Sequence, residues 1–131
     1  MTGLDTNVLV RYVMQDDARQ SARASRLIES FTGEEPGFVP LVAVLELVWV
    51  LSGSYGLGRA QVAAALESLL RSKELVVDCA DLVAQALSRF RDAGADFADA
   101  LIERIAVSAG CPVTMTFDAG AAKVAGMTLV P

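Results

Sequence analysis

The chain has 131 residues, of which 53 % are hydrophobic and 21 % are charged, and its formal net charge is −5. This length fits one domain with ample apolar material for a packed core, and the charge is too sparse for a disordered chain. The negative balance argues against a general nucleic-acid coat protein, which is usually basic.

The sequence contains no histidine. This absence excludes Ser-His-Asp and Cys-His nucleophilic catalysis, a histidine general base and His-ligated zinc. No glycine-rich motif for a nucleotide cofactor occurs. Enzymatic chemistry would have to come from carboxylates, a metal ion, an activated Lys or Tyr, or another cofactor. Cys79 and Cys111 lie far apart without a CxxC pattern, so we expect two buried, reduced thiols.

The N-terminal segment does not have the pattern of a signal peptide, because it lacks a basic leader and because Asp5 and Arg11 interrupt its apolar run. The longest apolar stretch, residues 38–51, is shorter than a membrane span and contains Glu46. We therefore expect a cytoplasmic protein that does not associate with a membrane.

The first half of the chain alternates between strand and helix patterns. A short strand is predicted at residues 2–4 and is followed by helices at 6–14 and 16–31. After Gly and Pro residues that interrupt the pattern, a strand at 37–39 leads into a helix at 41–52.

The second half repeats this alternation after a glycine-rich turn. An amphipathic helix comes first, and glycines end several of the elements that follow. The predicted elements are a helix at 59–71, a strand at 75–77, helices at 80–93 and 96–109, a strand at 112–117, a short helix ending at 125 and a strand at 127–130.

Strands that alternate with helices predict a parallel sheet with helices on both faces, in a single domain over residues 1–131. Ligands of such sheets bind beyond the carboxyl ends of the strands. Asp5 and Asp118 each follow a predicted strand, so we expect them at the same edge of the sheet.

Four carboxylates are embedded in apolar segments, where an unpaired charge is costly. They are Asp5 in MTGLD, Glu46 in LVAVLELVWVL, Asp99 in ADFADALI and Asp118 in VTMTFD. Acids gathered around one or two divalent metal ions are the economical explanation. Hard oxygen ligands favour Mg²⁺ or Mn²⁺ over zinc.

Some of these acids also have a structural interpretation. Asp5 and Asp118 precede predicted helices and could act as N-caps, with Thr6 and Asn7 adding polar groups beside Asp5. Glu46 has no basic residue three or four positions away in its helix, but a distant arginine could pair with it.

Asp96, Asp99 and Glu103 fall on roughly one face of a predicted helix, and their charges would repel one another without a cation. Asp96 is well explained as an N-cap or first-turn acid, although it could also join the metal site. Asp99 is predicted to point inward as a ligand. Glu103 is left open between the solvent face and the surroundings of the site.

Arg19, Arg23 and Arg26 share one helix at spacings of four and three residues. Such a stripe is suited to phosphate groups, and a plain solvated helix face is the alternative.

The segments DTNVLVRY, LELVWVL, ADFADALI and TFDAGAAK together resemble the PIN-domain family, most closely its VapC-type toxin ribonucleases of type II toxin–antitoxin systems. The resemblance covers residues 2–130. Asp5, Glu46, Asp99 and Asp118 match the four family acids in order.

The resemblance implies a three-layer α/β/α sandwich with a central parallel sheet, and Mg²⁺- or Mn²⁺-dependent endonucleolytic cleavage of RNA. It implies that the four matched acids bind metal and carry catalysis through metal-activated water. It also implies a homodimer and a small VapB-like antitoxin that blocks the site and binds operator DNA in the complex.

Two other classes remain open. A haloacid-dehalogenase-like, Mg-dependent phosphatase also places an Asp after its first strand, but it needs a second Asp two positions later, where Asn7 stands. A non-catalytic, metal-stabilised module would bind a partner without turning over RNA.

Overall fold

The computed structural model of the protein describes residues Met1–Pro131. The chain forms two compact units, Met1–Ala80 and Asp81–Pro131. Both units contain helices and parallel strands. A single domain over the whole chain stays a prediction. None of the helices has the combination of length and hydropathy that crossing a bilayer requires.

The first unit is built on a three-stranded parallel sheet in the order β1-β2-β3, in which Gly37 pairs with both Thr2 and Leu75. Helices connect the strands, as parallel pairing requires. The elements are β1 (Thr2–Gly3), α1 (Thr6–Met14), α2 (Ala18–Glu29), β2 (Gly37–Val39), α3 (Leu41–Trp49), a π-helical turn (Val50–Ser54), α4 (Arg59–Arg71) and β3 (Leu75–Val77).

The core of the first unit draws on all four helices and on the central strand. Its largest fully buried side chains are aliphatic and recur at helical spacing, which explains why these segments form helices with one apolar face. They are Leu9, Ile28, Val39, Val44, Leu47, Leu51, Val62 and Leu66. Gly37 allows β2 to pack closely, because a Cβ atom there would lie 2.7 Å from the Phe31 ring.

The second unit contains a two-stranded parallel sheet in which Met115 pairs with Thr128. Phe90 and Phe97 pack edge to face with ring centroids 6.1 Å apart, and both rings are buried. The elements are α5 (Ala80–Asp92), α6 (Phe97–Ser108), β4 (Met115–Thr116), α7 (Ala119–Val124) and β5 (Thr128–Leu129).

All the predicted helices and strands are present in the predicted order. The predicted parallel direction of the strands is also confirmed, and the alternation is compatible with an α/β fold. The backbone hydrogen bonds do not join the strands into one central sheet. They form one sheet of three strands and another of two. Strands of two or three residues make few backbone hydrogen bonds, so their sequences do not specify which edges join. The complete three-layer sandwich stays a prediction.

The prediction of buried thiols is wrong. Cys79 and Cys111 are both free, and both are exposed. Each lies in a connection between two secondary-structure elements, where the chain meets solvent.

Glu103 is the only buried carboxylate of the protein, with 5 % of its surface exposed. Arg89 Nη1 donates to Glu103 Oε2 (3.0 Å), and Arg104 donates to both carboxylate oxygens (2.6 and 2.8 Å). Arg89 Nη1 also donates to the carbonyl oxygen of Ala125 (2.9 Å). Hydrogen bonding from Arg104 lowers the pKa of Glu103 against the opposing effect of burial, and the charge of Arg89 adds to the lowering. This ion-pair cluster ties α5, α6 and the end of α7 together.

Gly126 accommodates the same cluster. Its φ is +77°, in the left-handed region that favours glycine, and a Cβ atom there would lie 2.6 Å from Arg89 Nη1. Glycine is therefore required at position 126 for two reasons: it adopts the positive φ, and it has no Cβ atom to collide with the Arg89 guanidinium.

Replacing Glu103 with Gln is expected to lower the free energy of unfolding by about 1–3 kcal/mol at neutral pH, because two arginines lose a buried countercharge. The folded-state pKa of Glu103 is depressed, so its contribution is complete above the unfolded-state pKa and is lost as the pH falls through the folded-state value. Urea denaturation of the wild type and of Glu103→Gln should show that the difference between their free energies of unfolding becomes smaller at acidic pH. Glu35→Gln, at a highly exposed carboxylate, is the control. An equal loss in both variants at neutral pH would contradict the structural role of Glu103.

Gly126→Ala is expected to destabilise the protein more than Gly94→Ala. Gly94 also has a positive φ, +74°, but a Cβ atom there meets nothing within 4 Å. Both variants incur the backbone cost of about 1–2 kcal/mol, and only Gly126→Ala also displaces Arg89. Denaturant midpoints measure the difference, and equal midpoints would show that the Arg89 contact contributes nothing.

Candidate functional site

Asp5 lies between β1 and α1, as the sequence predicts. It is the N-cap of α1, and its Oδ1 accepts the Thr6 N–H at 2.8 Å. The Asp5 side chain is exposed, and its second oxygen accepts no hydrogen bond from the protein. The N-cap interpretation of Asp5 is therefore confirmed, and one carboxylate oxygen remains available to a ligand.

Glu46 is linked to Asp5 through Thr6. The buried Thr6 side chain donates its hydroxyl to Glu46 Oε1 at 2.5 Å, while its backbone N–H donates to Asp5. No arginine pairs with Glu46, so the ion-pair interpretation finds no partner in the structure. Two of the predicted acids of the first unit are thus brought together by one threonine.

In the second unit, two of the candidate acids cap helices. Asp96 is the N-cap of α6, and its Oδ1 accepts the Asp99 N–H at 3.0 Å. Asp118 is the N-cap of α7, and its Oδ1 accepts the N–H groups of Gly120 (2.7 Å) and Ala121 (3.3 Å). Each cap uses one oxygen, so capping and ligand binding are compatible for both residues.

Asp99 differs from its neighbours. It lies in the first turn of α6, is half-buried, and its carboxylate accepts no hydrogen bond from the protein. Burial raises the pKa of Asp99, and the charges of Asp96 and Asp118 raise it further. We call these three carboxylates, whose charges act on one another and which form no ion pair with Lys or Arg, the Asp99 cluster.

The premise that four carboxylates are buried is wrong. Asp5, Glu46 and Asp118 are exposed and Asp99 is half-buried. The physical reason is that strand ends and helix starts reach the surface, and that the apolar neighbours of Glu46 in sequence include exposed residues.

Glu103 is the acid that is buried. The sequence pattern does not decide whether this residue lies on the solvent face of its helix or in the surroundings of the site. The adjacent Arg104 was the one available signal for a buried pair. Arg89, 14 residues earlier, has no spacing that would connect it to Glu103.

The donor chemistry suits a hard divalent cation, because all the candidate ligands are carboxylates. The structure brings Asp5 to Glu46, and Asp96 and Asp118 to Asp99. It does not place three carboxylate or thiol groups in an arrangement that would hold a metal ion.

Comparison with known protein families identifies a related family. The PIN-domain model matches residues 4–127, a span that contains every candidate acid. No curated protein and no solved structure gives a significant match. PIN domains are generally nucleases, and they typically use divalent metal ions. On this match over nearly its whole length, the chain belongs to the PIN-domain family.

Proposed function

We propose that the protein is a Mg²⁺- or Mn²⁺-dependent endoribonuclease, the toxin of a VapBC-like toxin–antitoxin module. The observation that carries the proposal is the Asp99 cluster: the half-buried Asp99 carboxylate accepts no hydrogen bond, and the charges of Asp96 and Asp118 raise its pKa. Such a concentration of charge suits the binding of a cation, and family membership makes nuclease chemistry the use for that cation.

Asp5, Glu46, Asp99 and Asp118 are the proposed metal-binding and catalytic acids, and Asp96 is an additional candidate ligand. Bound Mg²⁺ or Mn²⁺ would supply Lewis acidity, which lowers the pKa of water and offsets charge on the phosphoryl group. Because the chain has no histidine, it offers no imidazole base for this reaction.

The protein's own contribution is to fix the carboxylates before substrate arrives. Thr6 holds Asp5 and Glu46 with separate donors, and the first turns of α6 and α7 hold Asp96 and Asp118. Carboxylates held by such bonds have little to reorganise during the reaction, which favours catalysis.

A protein partner is also part of the proposal. Val42 and Trp49 flank Glu46 on α3 and are 74 % and 70 % exposed. Exposed apolar side chains beside a proposed catalytic acid support a partner that covers the site. We propose a VapB-like antitoxin in this role, with operator DNA bound only through the antitoxin, and a homodimeric, cytoplasmic toxin.

The same exposed surface of α3 favours a second candidate function, a non-catalytic module that only binds its partner.

Purified protein is expected to cleave one or more members of a panel of structured RNAs in Mg²⁺ or Mn²⁺, and none in EDTA. Asp5→Asn is expected to reduce cleavage by about two orders of magnitude, because a metal-binding charge is lost. Asn is as good an N-cap as Asp, so the fold should persist. Gel analysis of the RNA and thermal melting of each protein are the measurements.

Asp17→Asn is the matched control. Asp17 is the N-cap of α2 and accepts the Gln20 N–H at 2.9 Å, but it is not a candidate ligand. Its variant should cleave like wild type. Full activity of Asp5→Asn in antitoxin-free protein would rule out the mechanism, and metal binding without cleavage of any RNA would favour the non-catalytic module.

Glu46→Gln is expected to weaken Mn²⁺ binding about tenfold or more, since the glutamine keeps an acceptor for the Thr6 hydroxyl but loses the charge. Calorimetric titration with Mn²⁺ measures the affinity. Glu34→Gln, at an exposed carboxylate, should bind as wild type does. Wild-type affinity in Glu46→Gln would make Glu46 a structural partner of Thr6.

A further inference from the structure

Helices α1 and α2 border a cleft of about 480 Å³ in the first unit. This volume falls within the range of roughly 300–1,000 Å³ that is typical of ligand sites. Asn7, Val8 and Arg11 line it from α1, and Arg23, Ala24 and Leu27 line it from α2. The cleft therefore combines an apolar floor with two arginines.

Arg11 is held in place and neutralised. Its Nη1 donates to Asp16 (3.1 Å) and to the Tyr55 hydroxyl (3.2 Å), and its Nε donates to Gln20 (2.8 Å). The Tyr55 hydroxyl in turn donates to Asp16 at 2.6 Å. Hydrogen bonding from Tyr55 lowers the pKa of Asp16, so this acid stays charged beside Arg11. Arg11 thus forms a fixed wall of the cleft.

Arg23 has no such partner. Arg19, Arg23 and Arg26 are exposed, and none of them forms an ion pair or a side-chain hydrogen bond in the structure. Their spacings of four and three residues place them on neighbouring positions of α2. Unpaired guanidinium groups on a chain of net charge −5 leave a local cationic surface, which suits a polyanion.

The cleft begins next to the first proposed catalytic acid. Asp5 caps α1, and Asn7 of the first turn already lines the cleft. Arg11 lies six residues beyond Asp5, which is about 9 Å along a helix axis. A chain bound in this cleft would therefore run close to Asp5.

We propose that this cleft binds the RNA substrate beside the scissile bond. A phosphate group would accept hydrogen bonds from Arg23, and an unstacked base would contact the apolar floor at Val8, Ala24 and Leu27. A base can reach such a floor only from a single-stranded or looped segment, so the cleft selects unpaired RNA. This inference rests on the proposed nuclease function and assigns its strand-binding surface.

The apolar floor alone would also suit a peptide, but unpaired Arg23 in the cleft, with unpaired Arg19 and Arg26 on the same helix, favours a ligand with repeated phosphates. RNA is therefore the occupant that the charges support. An acidic peptide is the alternative that an experiment must distinguish.

The test is equilibrium binding of a fluorescein-labelled, mixed-sequence single-stranded RNA, followed by anisotropy at several salt concentrations in EDTA. The chelator separates binding from cleavage. Arg23→Gln is expected to weaken binding about tenfold. It should also reduce the slope of log K against log salt by about 0.7, the value for one lost phosphate contact on a single strand.

Two further variants strengthen the test. Leu27→Glu places a carboxylate in the cleft and should weaken RNA binding without emptying the core, because Leu27 is 38 % exposed. Lys73→Gln removes an exposed positive charge of the same unit outside the cleft, and it should leave the slope unchanged. Thermal melting verifies that each variant is folded.

Wild-type RNA binding by Arg23→Gln, or an equal loss in Lys73→Gln, would overturn the proposal. Poly-glutamate serves as the probe for an acidic peptide. If Arg23→Gln loses poly-glutamate binding but retains RNA binding, the proposal is overturned and the cleft is assigned to a protein partner. If no RNA is cleaved in Mg²⁺ yet Arg23→Gln lowers RNA affinity, the nuclease proposal fails while the binding surface stands.

Discussion

The hydrogen bond between an aspartate and the exposed N–H groups of a helix start positions three of the five candidate acids of this protein. Asp5, Asp96 and Asp118 all form it, at the starts of α1, α6 and α7. A helix N-terminus leaves unpaired N–H groups and a partial positive charge, so a carboxylate there stabilises the fold. Because each cap occupies one oxygen, stability and a ligand function do not compete for the same atom.

Glu103 shows the opposite use of the same chemical group. Its carboxylate is buried, fully occupied by Arg89 and Arg104, and connected through Arg89 to the end of α7. It lies one turn beyond Asp99 on α6, while Asp118 begins α7. The neutralised acid therefore helps to fix the helices that carry the uncompensated acids, which explains how a repulsive cluster can be held in one place.

The sequence predicted the elements of the fold better than their assembly. Arg59–Arg71, Gly37–Val39 and Leu75–Val77 have the predicted bounds, because regular apolar spacing and flanking glycine or polar residues mark them. The division of the strands into two sheets was not predictable, because two-residue strands such as Thr128–Leu129 carry almost no pairing information. Hydropathy along the chain marks apolar segments, but it does not say which face of a helix is covered.

For the candidate site, too, local features were predictable from the sequence and long-range contacts were not. The positions of Asp5 and Asp118 after strands were predictable from the alternation, and so was the capping role of Asp96. The predicted burial of the acids is wrong, since Glu46 lies on a face of α3 that is exposed despite its apolar sequence. The Thr6 link and the Arg89 pair depend on contacts across 40 and 14 positions, for which a single sequence offers no signal.

The exposed face of α3 also has an optical consequence. Trp49 is the only tryptophan of the chain, and it lies three residues from Glu46 with 70 % of its surface in solvent. Indole emission shifts to shorter wavelength when water is removed from the ring, so any ligand that covers this face alters the fluorescence of a single residue. The protein thus carries a built-in, label-free reporter beside one of its proposed catalytic acids.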